Sequence, residues 1–267
     1  MAHPQIAAFA RLADGNMQPN RRIEGQLTRL GRTMHAIAYD AIHDEIVVPQ
    51  QFAQAILTFR GAANGEEAPL RGIQGSLTQL SAPDQLAIDP ANNEIIVPED
   101  DHVLIFRREA DGNAAPIRVL KGPDALRDAS MAAVDSVHNL LIVTGNPAAG
   151  AAIKPGGRGA IMIFDRTAQG NVKPKAVIAG PKVMLAGGNA RVFVYPPREE
   201  ILVVANGYVG VWSIHDSGDV APRWTIGGPD GILLAVRGMA LDPKHQSIII
   251  SDKRLNSILT YHFPEIF

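Results

Sequence analysis

The sequence predicts an all-β fold, a β-propeller of five blades with four antiparallel strands in each. Three observations predict it. One spacing recurs five times along the 267 residues, each copy divides into four strand-sized apolar runs, and the chain opens and finishes on segments of the same outer-strand type. Self-similarity at an interval of about fifty residues is the mark of blade-like repetition.

The repeated spacing is an aromatic, five residues, Gly, three residues, Pro, five residues, Gly. Its members are Phe9-Gly15-Pro19-Gly25, Phe59-Gly65-Pro69-Gly75, Phe106-Gly112-Pro116-Gly122, Phe164-Gly170-Pro174-Gly180 and Trp212-Gly218-Pro222-Gly228. Five identical spacings make chance a poor explanation. The first glycines follow one another at intervals of 50, 47, 58 and 48 residues, the size of a four-stranded blade.

The aromatic ends an alternating run such as Ile56-Leu57-Thr58-Phe59, and the Asp-Gly, Asn-Gly or Gln-Gly pair after it is a hairpin signal. These runs are the outer strands C and D. A run of small apolar residues ending mostly in Asp, at 37–40, 86–89, 132–135, 192–195 and 239–242, suits the crowded inner strand A. A turn such as Asp89-Pro90-Ala91-Asn92-Asn93 then leads into strand B at 46–48, 95–97, 141–143, 201–204 and 248–250. Pro presets φ at the first turn position and Asn tolerates the left-handed region. Helices have no place in this reading.

The chain opens on C (6–9) and D strands and finishes with A, B and a sixth C-like run, Ile258-Leu259-Thr260-Tyr261. The last blade is therefore closed by N- and C-terminal strands, which removes open edges. The two C-like runs compete for one place. The alternatives are a six-bladed or an incomplete propeller, and the surplus terminal strand offers a route to a homo-oligomer.

The copy Ala110-Asp111-Gly112-Asn113-Ala114-Ala115-Pro116, followed by a Leu-Ala-Ile-Asp type strand, resembles the NHL-like propeller repeats of bacterial proteins. The resemblance covers nearly the whole chain. It implies the fold and leaves activity open, because such proteins include binding scaffolds and enzymes. The inner strand usual for the family is kept best at Gly238-Met239-Ala240-Leu241-Asp242, whereas the fourth copy has Tyr195-Pro196-Pro197 in place of the Asp.

Composition narrows the class. Apolar residues at 46% provide core material for a single domain spanning 1–267, and a net charge of −2 without a Lys/Arg run argues against nucleic acid. Zero cysteines exclude disulfides, thiolate metal sites and Cys nucleophiles. The longest apolar runs are strand-sized, so no membrane helix is expected. The opening Met1-Ala2-His3-Pro4-Gln5 lacks the regions of a secretory signal. As written the protein is expected in the cytoplasm; a trimmed mature form would be exported.

Topology locates the candidate site. In a blade of sequential antiparallel strands, the loop entering A and the loop leaving B lie at one end, and in a propeller that end is a mouth of the central channel. Entering A stand His35, Asp84, Ser130, Ala190 and Arg237; leaving B stand Gln50, Glu99, Asn146, Asn206 and Asp252. Nine of these ten are polar or charged. Convergent polar groups in a concavity suit a small molecule, a sugar or a peptide, although water alone would also keep such a rim polar. Arg237 suits a carboxylate.

The leading expectation is a ligand- or protein-binding scaffold. The alternative is a metal-dependent hydrolase. Glu99, Asn206 and Asp252 are hard oxygen donors suited to Ca²⁺ or another divalent cation, and their order is similar to the metal ligands of lactonases of the senescence-marker and paraoxonase type. That similarity implies His35 or Asp84 as general base. Three histidines, His43, His138 and His245, share one repeat position in the A–B turn, where turn preference explains them more simply than a metal. An insertion at 145–159 leaves strand B and is placed to overhang the site.

Overall fold

The computed structural model describes residues 4–32, 34–147, 159–185, 190–205, 207–228 and 231–267. The fold class is all-β, with the sheets of a five-bladed β-propeller and no α-helix among the described residues. The strands β1 (Gln5–Ala8) and β2 (Arg21–Glu24) form a two-stranded ribbon. The first four-stranded sheet contains β3 (Ala38–Asp40), β4 (Glu45–Gln50), β5 (Ala55–Arg60) and β6 (Arg71–Gln74). The second contains β7 (Ala87–Asp89), β8 (Glu94–Glu99), β9 (His102–Arg107) and β10 (Arg118–Lys121).

In the third sheet are β11 (Leu126–Asp135), β12 (Leu140–Pro147), β13 (Ala160–Asp165) and β14 (Ala176–Ile178). The fourth holds β15 (Arg191–Tyr195), β16 (Glu200–Ala205), β17 (Tyr208–Ser213) and β18 (Trp224–Gly227). The last has three strands, β19 (Val236–Asp242), β20 (Ser247–Asp252) and β21 (Ser257–His262). Strand order within every sheet follows the chain, which is the meander a blade requires. The chain packs as two compact units, Met1–Ile95 with Phe106–Ile117, and Ile96–Ile105 with Arg118–Phe267.

The surplus strand resolves simply at the level of hydrogen bonding. β21 pairs with β20 along six residues and takes the third position of the last sheet, while β1 pairs only with β2 among the described residues. This explains a difference among the repeat aromatics. Phe59, Phe106, Phe164 and Trp212, in sheets that carry strands A and B, are fully buried, but Phe9, at the end of a ribbon that lacks them, is 43% exposed.

The glycine of the Asp-Gly and Asn-Gly pairs has a role other than the expected two-residue hairpin. About ten residues separate β5 from β6, and Gly65 within them reaches the preceding D strand: Gly65 N–H donates to Arg22 C=O (2.6 Å) and Glu24 N–H donates to Gly65 C=O (3.1 Å). The same parallel bridge joins Ile73 to Gly112 in the first unit, and Leu120 to Gly170 and Ile178 to Gly218 in the second. The repeat spacing is thus the spacing of a latch between successive sheets.

A second latch lies beside each bridge. The residue after each of these glycines accepts from a backbone N–H just past the preceding sheet's D strand: Leu27 N–H to Glu66 Oε1 (3.1 Å), Leu77 N–H to Asn113 Oδ1 (2.7 Å), Asp124 N–H to Asn171 Oδ1 (2.8 Å) and Lys182 N–H to Asp219 Oδ1 (2.7 Å). The second repeat glycine makes room for that side chain. A Cβ on Gly75 would stand 2.5 Å from Asn113 Oδ1, and its backbone at φ 138°, ψ 175° lies in a region only Gly occupies comfortably.

Apolar burial follows the strand faces. In the first unit Ile23, Ile46, Val48, Leu57 and Phe59 form a core. The second unit has one core around Ile142, Ile163, Val192, Ile201 and Trp212, and another around Val204, Val211, Met239, Ile248, Ile250 and Ile266. No helix among the described residues is long and apolar enough to cross a membrane.

Candidate functional site

Register places the loop entering A beside the loop leaving B, as expected. In the first sheet Ala38 pairs with Val47 and Asp40 with Glu45, so continuing the ladder brings His35 toward Gln50. In the last sheet Val236 pairs with Asp252, and the ladder shifts between Val236 and Gly238, which leaves Arg237 as a bulge residue. The equivalent residue of the third sheet, Ser130, is bulged in the same way between Ala129 and Met131. A bulge inserts one unpaired residue and re-aims its side chain, a device that recurs beside functional sites.

In the first unit the structure brings together His35 and Asp84. His35 Nδ1 makes a short hydrogen bond to Asp84 Oδ1 with side chains 50% and 40% exposed, and Asp84 Oδ2 accepts from Gln85 Nε2 at 2.9 Å. A carboxylate can only accept when ionised, so the contact fixes the hydrogen of a neutral imidazole on Nδ1 and leaves the Nε2 lone pair free. A base oriented by a carboxylate is the arrangement general-base chemistry uses.

Gln50 behaves differently. It is 2% exposed, its Oε1 accepts from Gly31 N–H at 2.5 Å, and its Nε2 is buried without a hydrogen-bond partner among the described residues. An orphaned buried amide donor costs about 1–3 kcal/mol. Such a group is one that an incoming acceptor would satisfy.

The second unit holds the remaining candidates. Glu99 is buried at the end of β8. Asn146 Nδ2 donates to Asp128 Oδ2 at 2.9 Å, and burial pushes the Asp128 carboxyl above its usual range against the lowering effect of that bond, with Asp100 adding to the rise. Asp128 was not among the expected site residues; its position two residues ahead of Ser130 was the available signal. Arg237 is exposed and has no ion pair or side-chain hydrogen bond among the described residues. Asn206 lies outside the described residues, as does most of the 145–159 insertion.

Asp252 is committed to the backbone. Its Oδ2 accepts from Leu234 N–H (2.7 Å) and Ala235 N–H (2.8 Å), and its Oδ1 accepts from Arg254 N–H (2.9 Å) and Leu255 N–H (3.1 Å). Burial alone would raise its pKa, but these four donors outweigh it and hold the carboxyl below the usual range. A cation at Asp252 would have to displace them, so the side chain as placed does not fit a metal ligand. Among the described residues no three His, Asp or Glu are placed to hold an ion.

A division of labour emerges. Residues leaving B tie the loop that enters A, as Gln50 ties Gly31, Asn146 ties Asp128 and Asp252 ties Leu234 and Ala235. Residues entering A, namely His35, Asp84 and Arg237, keep exposed functional groups. No family model and no curated protein matches this chain.

The repeated histidines serve the turns. His43 and His138 each bond through Nδ1 to the strand-A Asp three residues earlier, Asp40 and Asp135, at 2.8 Å, and that Asp also accepts backbone N–H groups of the turn. His245 repeats the bond to Asp242, and Asn92 supplies the same contact to Asp89.

Proposed function

We propose that this protein is a β-propeller binding scaffold whose ligand meets the ends of the sheets where strand A enters, with His35 and Asp84 as a recognition pair. The observation that carries the reading is the exposed, oriented imidazole of His35, on the loop that enters the first four-stranded sheet, and the buried Gln50 Nε2 at the end of β4 in that sheet, which has no hydrogen-bond partner among the described residues. A lone pair and a free N–H ask for a ligand with both hydroxyl donors and an oxygen acceptor, which a sugar or a peptide supplies.

The test is a panel of monosaccharides, short peptides and divalent cations followed by thermal unfolding, with and without EDTA. A ligand of the folded state raises the melting temperature by mass action. His35→Ala and Gln50→Leu should each weaken the responding ligand at least tenfold. Unchanged affinity in both variants would refute the site.

A second reading, hydrolysis, is favoured by the same pair, because Asp84 orients His35 as a base toward water. Turnover of a lactone or phosphoester that disappears in His35→Ala would establish it over simple binding. A requirement for Ca²⁺ in that turnover would restore the metal-dependent form, with ligands other than Asp252.

A further inference from the structure

The last sheet ends on β21, and no strand lies on its outer edge among the described residues. Phe263 N–H donates to Gln246 C=O at 2.9 Å, and the ladder continues from Ser247 opposite His262 to Asp252 opposite Ser257. Bonded and non-bonded pairs alternate in an antiparallel ladder. Ser257, Leu259 and Tyr261 therefore turn their N–H and C=O toward β20, while Ile258, Thr260 and His262 turn theirs outward to the open edge.

Proteins usually blunt such edges with Lys, Pro, bulges or a covering element. The D strands β2, β6, β10 and β14 are covered by the glycine bridges of the following repeat. β21 has none of these devices: it contains no Pro and no Lys, Arg, Asp or Glu, its ladder with β20 has no shift, and Ile258 is 59% exposed.

The geometry points to a second copy of this chain as the occupant, with the two β21 strands pairing antiparallel about a twofold axis at Thr260. The strand is complementary to itself in that register. Thr260 faces Thr260 of the second copy and Ile258 faces His262 of the second copy, so every outward N–H and C=O of the three residues finds a partner. On the other face Leu259 meets Tyr261 of the second copy, extending the apolar surface that both side chains already share with the Ile248, Ile250 and Ile266 core. A slip of one residue would set outward groups against inward ones and lose the bonds. The strand has no Lys, Arg, Asp or Glu, so no repulsion between such side chains opposes the pairing. Trp224, 45% exposed and stacked edge-on against Phe263 just past the strand, adds apolar surface at one end.

Sedimentation velocity of the full chain between about 1 and about 100 μM tests this. The wild type should shift from monomer toward dimer as concentration rises. Thr260→Pro removes an outward N–H that β20 does not use, and should remain monomeric with its circular dichroism unchanged. Thr260→Lys sets two like charges across the axis without altering the backbone, and should raise the dissociation constant at least tenfold, with recovery at high salt. A wild type that stays monomeric throughout, or a dimer indifferent to Thr260→Lys, would overturn the proposal. So would a dimer lost in Gln5→Pro instead, which would move the interface to β1.

Discussion

At the scale of single residues, the two repeat glycines answer to different constraints, and substitutions separate them. Gly65 sits at φ 68° with open space where a Cβ would go, so Gly65→Ala carries only the left-handed penalty of about 1–2 kcal/mol, and Gly65→Asn should cost less. Gly75 meets both a Gly-only backbone region and the Asn113 side chain. Gly75→Ala should cost about 2–3 kcal/mol, measurable by urea unfolding; equal losses at the two sites would contradict the latch.

Asp252 gives a pH-dependent prediction. Its folded pKa lies below the ordinary value, so its stabilising contribution is present above the unfolded pKa of about 3.9 and is lost as pH falls through the lower folded value. Asp252→Asn should destabilise the protein at pH 7 by about 1–3 kcal/mol, because an amide NH₂ would face backbone donors. The gap between variant and wild type should narrow as the pH is lowered toward 2. A gap that widens on acidification would show the sign to be wrong.

At the scale of elements, the spacing of aromatic, glycine and proline was enough to place the outer strands, and the small-apolar runs placed the inner ones to within a few residues. The exception is β11, which starts at Leu126 rather than near Ala132. Bulges at Ser130 and Arg237 were not legible, because a bulge is a mismatch in count between two strands and exists only once they pair. The side-chain latch was legible in principle: the residue after the first glycine is Asn16, Glu66, Asn113, Asn171 or Asp219, an oxygen acceptor in every copy. Its meaning depended on a neighbour some forty residues away.

Burial of the repeat aromatics distinguishes complete sheets from the ribbon. Phe106→Ala should cost about 3–5 kcal/mol, as a fully buried ring leaves a cavity. Phe9→Ala should cost well under that, since its ring is 43% exposed. Chemical denaturation of the two variants checks the contrast, and similar losses would mean that β1 packs in solution against surface it lacks here.

At the scale of the whole molecule, five repeats supply a frame, and the proposed site is drawn from the departures from repetition. Polar residues leaving strand B looked as informative in sequence as those entering strand A. Hydrogen bonding separates them: Gln50, Asn146 and Asp252 hold loops, whereas His35, Asp84 and Arg237 keep exposed side chains. Sequence could not make that distinction, because a carboxylate saturated by backbone donors and one open to a ligand share the same letter.

The central claim is that Asp84 holds His35 with its Nε2 lone pair free for a ligand. Long-range ¹H–¹⁵N NMR of the His35 ring, recorded at a pH high enough to leave the imidazole neutral, measures this directly. The account predicts a neutral ring protonated on Nδ1 in the wild type, reverting toward the Nε2–H form in Asp84→Ala. An Nε2–H ring in the wild type, or no change on removing Asp84, would contradict it.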